Sequence, residues 1–177
     1  SQEQMEPTVI ITADQATSYP DEYYENGVLV VLCPYRENPL SGLFEHNSLN
    51  FFSKMMGLKF AHQRRASEAI WFTVENVVAG GCISDVFIVK GGQIFTPKIN
   101  TPMLASVSRK FICELAVDND IEIFEKNLSI DDVLGADEIF MTNMIMEVLP
   151  VSNIEKHQVG GGKAGDIKKR MQGLYKE

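Results

Sequence analysis

Few residues in this chain combine a reactive side chain with the spacing that reactive chemistry needs. Asn47 stands just before an apolar series, Leu49, Phe52, Met55, Met56 and Phe60, that recurs at helical spacing. Its side-chain oxygen suits an N-cap, accepting from the free amides of a first turn. Its amide nitrogen is neither nucleophilic nor titratable, so position 47 offers no covalent or acid–base catalysis. Lys54 lies further along the same helix, roughly 10 Å up its axis, and Lys59 is farther still. Ser106 and Ser108 are good N-caps for a second helix. Ala79 is a small residue at a tight Gly-rich bend, and Met144 and Met146 flank Ile145 in a cluster suited to core or contact surface. His46, His62 and His157 are far apart, and no Cys/His group has metal-ligand spacing.

Composition narrows the classes. With 177 residues and 45% hydrophobic content, the chain suits one globular domain that buries most of its surface. A formal charge of −8 repels phosphate backbones, and no basic cluster interleaves with aromatics, so nucleic acid is not an expected partner. No run approaches the roughly 20 apolar residues that span a bilayer, so no membrane partner is expected. Cys33, Cys82 and Cys113 are an odd number inside apolar segments and read as reduced core residues. The first six residues are polar and acidic, unlike a signal peptide, and the expected location is cytoplasmic.

The elements that must position these residues follow in chain order. Residues 8–12 are a short β-branched run, expected as a strand, and 14–21 read as a linker. Tyr23 to Asn26 form one helical turn stopped by Gly27. Residues 28–33 form an apolar strand buried on both faces, and 34–42 a loop. The Asn47 helix covers about 48–63, and 68–74 is the next strand. A bend at 79–82 leads into strand 84–90, which turns at Gly91 and Gly92 into 93–96. After a loop, 108–119 form an amphipathic helix with Phe111, Ile112 and Leu115 on one side. Residues 121–124 alternate as a strand, and Ser129 with Asp132 fits a capping box for a short helix ending near Gly135. Strands at 138–141 and 147–151 follow, with Pro150 marking a sheet edge or strand end. A triple glycine at 160–162 precedes a basic, surface helix over about 164–175. Strands and helices alternate but hairpins interrupt them. The expected fold is therefore mixed α/β (α+β): a curved mixed sheet or partial β-barrel with outer helices.

Nearly the whole chain resembles the class IV (fold-type IV) pyridoxal-phosphate enzymes: branched-chain and D-amino-acid aminotransferases and aminodeoxychorismate lyases. Residues 47–50 (Asn-Ser-Leu-Asn) are similar to the family's lysine-x-leucine-asparagine turn. Residues 84–90, Gly92, Thr96 and Pro97 are similar to its hairpin after the cofactor ring. Residues 104–109 resemble its phosphate turn. Residues 136–142 with Glu147, Pro150 and Val151 resemble its last cofactor-facing strand and loop. The resemblance implies the large domain of a D-amino-acid aminotransferase-like fold over 15–177. It makes 1–14 the last strand of an absent small domain and the start of a linker.

It also implies a degraded site. Asn47 stands where the family carries the Schiff-base lysine, and Ala79 where a glutamate keeps the ring nitrogen protonated. Met144 replaces a phosphate-binding hydroxyl. Val107, Ser108, Thr142 and Asn143 remain as residual cofactor-binding positions, with Val107 and Ser108 at a helix N-terminus suited to an anion. No catalytic residue and no metal ligand is expected, and pyridoxal 5'-phosphate is implied by the resemblance alone, without covalent attachment. The expected protein is a pseudoenzyme acting as an interaction or structural module, in a homodimer or hetero-complex. Two rivals stay open: a transaminase or lyase completed by another chain, and a module that binds pyridoxal phosphate or another small anion non-covalently.

Overall fold

The computed structural model describes residues 8–176 except 16, 44, 45 and 47. The expected first strand at 8–12 lies within them and is not a strand: residues 8–15 are exposed and without regular structure. A β-branched run needs a neighbouring strand to share its amides with, and none lies beside this one among the described residues.

Helix α1 (Asp21–Asn26) is closed by Gly27 at φ +74°, where the amide returns to the Tyr23 carbonyl. A side chain here would press on the Ser152 amide at 2.8 Å, so glycine alone permits this entry into β1 (Val28–Glu37). That strand runs through Pro34 and Arg36, which the sequence placed in a loop. Its pairing with β2 (Glu68–Thr73) shifts register between Leu32 and Arg36, and the irregularity accommodates the proline. Helix α2 (Phe52–Gln63) makes the crossover between these two parallel strands.

β3 (Val78–Gly80) pairs antiparallel with β2, and β4 (Asp85–Lys90) turns at Gly91 and Gly92 into β5 (Gln93–Thr96) as expected. α3 (Val107–Asp118) carries the chain to β6 (Ile123–Glu125), parallel to β5. α4 (Ile130–Leu134) opens with the anticipated capping box of Ser129 and Asp132. β7 (Glu138–Asn143), β8 (Glu147–Ile154) and β9 (His157–Gln158) then form a meander, and α5 (Asp166–Lys176) ends the described chain.

The strand order is β3-β2-β1-β8-β7-β4-β5-β6, with β9 on β8. This is a curled mixed sheet, a half-barrel with helices outside, as the sequence predicted. Pro150 is not at an edge: β8 lies between β1 and β7. β1 engages β8 only from Val151 onward, so the missing amide falls where β1 offers no partner.

Period-two alternation fills both faces of the sheet. Val30, Ile70, Val86, Ile88, Met141 and Leu149 point into the curl. Their neighbours point outward. Val31, Ala69 and Trp71 meet α2, while Phe87, Val89 and Phe140 lie under α3 and α5. The paired Phe87 and Phe140 rings stack at 5.0 Å across β4 and β7. α5 is less superficial than its basic composition suggested, since Lys168 and Met171 are buried. The Lys168 ammonium donates to the Tyr24 carbonyl at 2.9 Å. Burial holds its pKa down at about 8.

Candidate functional site

α2 binds the sheet through its smallest residues. Gly57 and Ala61 are buried, and a Cβ on Gly57 would stand 2.8 Å from both Cys82 Sγ and Trp71 Cζ2. The apolar face read from the sequence is therefore not the buried one. Leu49, Phe52 and Met55 are exposed and Phe60 only half-buried, because close approach to the Trp71 ring admits no large side chain. The helix begins at Phe52 after Phe51, with no side-chain cap, and Asn47 lies outside the described residues.

Seating α2 on Trp71 also turns Lys54 inward. Its ammonium is 2.8 Å from Glu37 and 4.2 Å above the Trp71 ring. Both Lys54 and Glu37 line a cavity of about 620 Å³, within the size range of small-molecule sites. Sequence spacing sets Lys54 aside. The signal that could have found it is its place three residues before Gly57, on the same helical face.

The opposite wall comes from the 79–85 segment, the start of α3 and the loop after β7. Glu68, buried at the start of β2, holds the first of these. Its carboxylate accepts from the amides of Ala69 (3.1 Å), Cys82 (2.9 Å) and Ile83 (3.3 Å), and from the Ser84 hydroxyl (3.1 Å). Burial raises its pKa, and these donors oppose the shift. Burial, and then the nearby Glu68 charge, push the Cys82 thiol up to about 12, so Cys82 is an inert wall residue that accepts from Trp71 Nε1 at 3.0 Å. Ala79 presents only its methyl group to this wall.

Asp85 is the residue that the sequence reading missed. It is 5% exposed, lines the cavity, and pairs in register with Thr142 across β4 and β7. Its Oδ2 accepts from the Ser106 hydroxyl and lies 3.5 Å from Thr142 Oγ1. Burial pushes its pKa up to about 6, against the opposing hydrogen bond of Ser106 and the Arg109 charge.

Ser106 is the N-cap of α3, its oxygen accepting from the Arg109 amide at 2.9 Å. The amides of Val107 and Ser108 have no partner among the described residues, and both residues line the cavity. Ser108 is 3% exposed, and its hydroxyl likewise has no partner there. Asn143 reaches the cavity but spends its amide on the adjoining turn, accepting from Ile145 (2.9 Å) and Met146 (2.8 Å) and donating to the Ile83 carbonyl (3.0 Å). Thr142 lies beneath the wall, fully buried. Met144 stands at the mouth, 72% exposed. No group of three or more metal-ligating side chains gathers among the described residues.

The Amino-transferase class IV family pattern matches residues 1–154. Aminodeoxychorismate lyase of Bacillus subtilis is 31% identical over 97% of this chain and 57% of its own length. A branched-chain-amino-acid aminotransferase of Pseudomonas aeruginosa is 32% identical over 71% of this chain and 40% of its own. Among solved structures, Escherichia coli branched-chain amino acid aminotransferase superposes with a TM-score of 0.83 at 29% identity, over 88% of this chain and 52% of that one. A second branched-chain amino acid aminotransferase, solved with pyridoxamine 5'-phosphate, gives 0.86 at 25% identity, over 93% and 54%. The chain thus spans about half the length of the relatives it matches.

The donor set fits one part of a pyridoxal phosphate and not the rest. Two open amides and the unpartnered hydroxyl of Ser108 at the start of a helix suit a phosphoryl group. For the rest, Ala79 offers the wall no acid, and the lysine of the described wall is bound to Glu37.

Proposed function

Since this chain belongs to the class IV aminotransferase family, we propose that it is a member without transaminase or lyase chemistry of its own. It acts as a folded interaction module whose cavity takes a small anion non-covalently at Val107 and Ser108. The observation that carries this reading is the state of Lys54. It is the lysine of the described cavity wall, and its nitrogen is engaged in an ion pair with Glu37 at 2.8 Å. A free amine is what Schiff-base formation requires. Asn47 supplies none whatever its conformation, and Ala79 supplies no acid. The apolar side chains around the mouth, Phe51, Leu104, Val107 and Met144 among them, suit cover by a second copy or another chain.

The rival reading is an amino-acid aminotransferase or aminodeoxychorismate lyase-like enzyme completed by another chain. It draws on the chain's spanning only about half of its relatives. One experiment separates the two. The purified protein is expected to be colourless and, after incubation with pyridoxal phosphate and borohydride, to show no lysine adduct by mass spectrometry. A stable adduct on a single cavity lysine, with transaminase turnover, would overturn the proposal.

A further inference from the structure

The start of α3 already has an anion close to it, and that anion belongs to the protein. Ser106 joins the two: its oxygen caps the Arg109 amide, and its hydrogen is donated to Asp85. The positive end of a twelve-residue helix therefore faces a buried carboxylate across a single hydroxyl. Beside it, Val107 and Ser108 line the same cavity; their amides and the hydroxyl of Ser108, a residue 3% exposed, have no partner among the described residues. These open donors can take an oxyanion, but a dianion seated there shares a poorly hydrated wall with Asp85. Like charges at such separations repel strongly wherever water does not screen them.

We propose that Asp85 is a built-in counter-charge for the N-terminus of α3, so that the cavity admits a phosphate-like dianion tightly only once that carboxylate is neutralised. The inference rests on the anion-receiving reading of Val107 and Ser108, and it adds the residue that decides which anions enter and when. Burial has already placed the carboxyl at about 6, so neutralisation lies within reach of mild acidity. By linkage, a bound dianion raises that value further, and a proton on Asp85 tightens the dianion by the same factor. The charged groups around Asp85 do not substitute for it. Arg109 on α3 is engaged by Glu125 at 3.2 Å and by the Pro97 carbonyl at 2.7 Å. Cys113, one helical turn further on, is held protonated by burial. Glu68 is spent on the amides beneath Ser84. Across the cavity Lys54 and Glu37 neutralise each other, which leaves His46 and the buried Cys82 thiol as the other ionisable groups of the wall among the described residues.

Sulfate is the suitable probe, because it keeps its double charge from about pH 5 to about pH 8, so that any change comes from the protein. Its dissociation constant, read by calorimetry on the intact chain, is expected to be at least about tenfold lower at the acidic limit than at the alkaline one. Asp85→Asn, which keeps shape and an acceptor for Ser106, is expected to bind as tightly at the upper pH as the parent does at the lower, with a flat profile. His46→Gln is expected to retain the parent's pH dependence, and Ser108→Ala to weaken sulfate at every pH. An Asp85→Asn profile as steep as the parent's would overturn the inference. So would a flat His46→Gln profile, or an absence of sulfate binding by the folded parent at any pH. None of these outcomes bears on the loss of Schiff-base chemistry, which the borohydride experiment reads separately.

Discussion

Burial that lifts the Asp85 carboxyl from the ordinary 3.8 to about 6 has a cost in stability whose sign can be worked out. Between those values the folded chain keeps a proton that the unfolded chain has released. Stability therefore falls as pH rises through that window, and the loss is complete above it. Replacing the carboxyl by an amide removes the effect. Asp85→Asn is expected to melt higher than the parent above about pH 6, by as much as ~3 kcal/mol of stability. The two melting curves should converge below about pH 4. Parallel melts across this range are the check, and a variant less stable than its parent at neutral pH would show that the hydrogen bonds of Ser106 and Thr142 outweigh burial. Residues that cost stability in place are expected at sites of function rather than in the ordinary core.

At the scale of elements, α2 shows how a close approach replaces a large apolar face. Gly57→Ala would gain about 1 kcal/mol in helix propensity, yet it places a methyl 2.8 Å from Cys82 Sγ and from the Trp71 ring. Overpacking of this kind costs roughly 1–3 kcal/mol, so net destabilisation is expected in urea titration. Because Lys54 rides on the same face, the variant should also disturb the Lys54 to Glu37 pair and with it the cavity wall. An unchanged midpoint would mean that α2 can slide away from Trp71 without loss. The helix was legible in the sequence and its orientation was not. Apolar periodicity identifies a stripe, but a glycine and an alanine one turn apart outweigh it when the opposing surface is a buried indole.

For the whole molecule, exposed apolar side chains gather around one opening. Phe51 precedes α2, Leu104 and Met144 lie on the opposing loops, and Val107 begins α3. Leaving such a surface in water is unfavourable, and cover by a second copy or another chain is the common remedy. Sedimentation at micromolar concentration is expected to show a dimer or larger species. A well-behaved monomer that binds no hydrophobic dye would count against it. The charge of −8 works against self-association, so added salt should shift the balance toward the dimer.

Periodicity and turn chemistry, read from the sequence alone, determined the curled mixed sheet, the hairpin at Gly91 and Gly92 and the capping box at Ser129, and left the N-cap of α3 open between Ser106 and Ser108. Each of these depends on residues near one another in the chain, where backbone preference acts directly. The same reading proposed, through family likeness, that positions 47, 79 and 144 carry replacements of the family's site residues. Tertiary structure alone decided the rest. Pro150 sits inside the sheet because β1 joins β8 one residue later. Lys54 reaches the cavity because Gly57 lets α2 approach Trp71. Asp85 meets Ser106 and Thr142 because β4, β7 and the loop before α3 converge from distant parts of the chain. Burial and charge at such points are properties of the assembled neighbours, and no local pattern of residues encodes them.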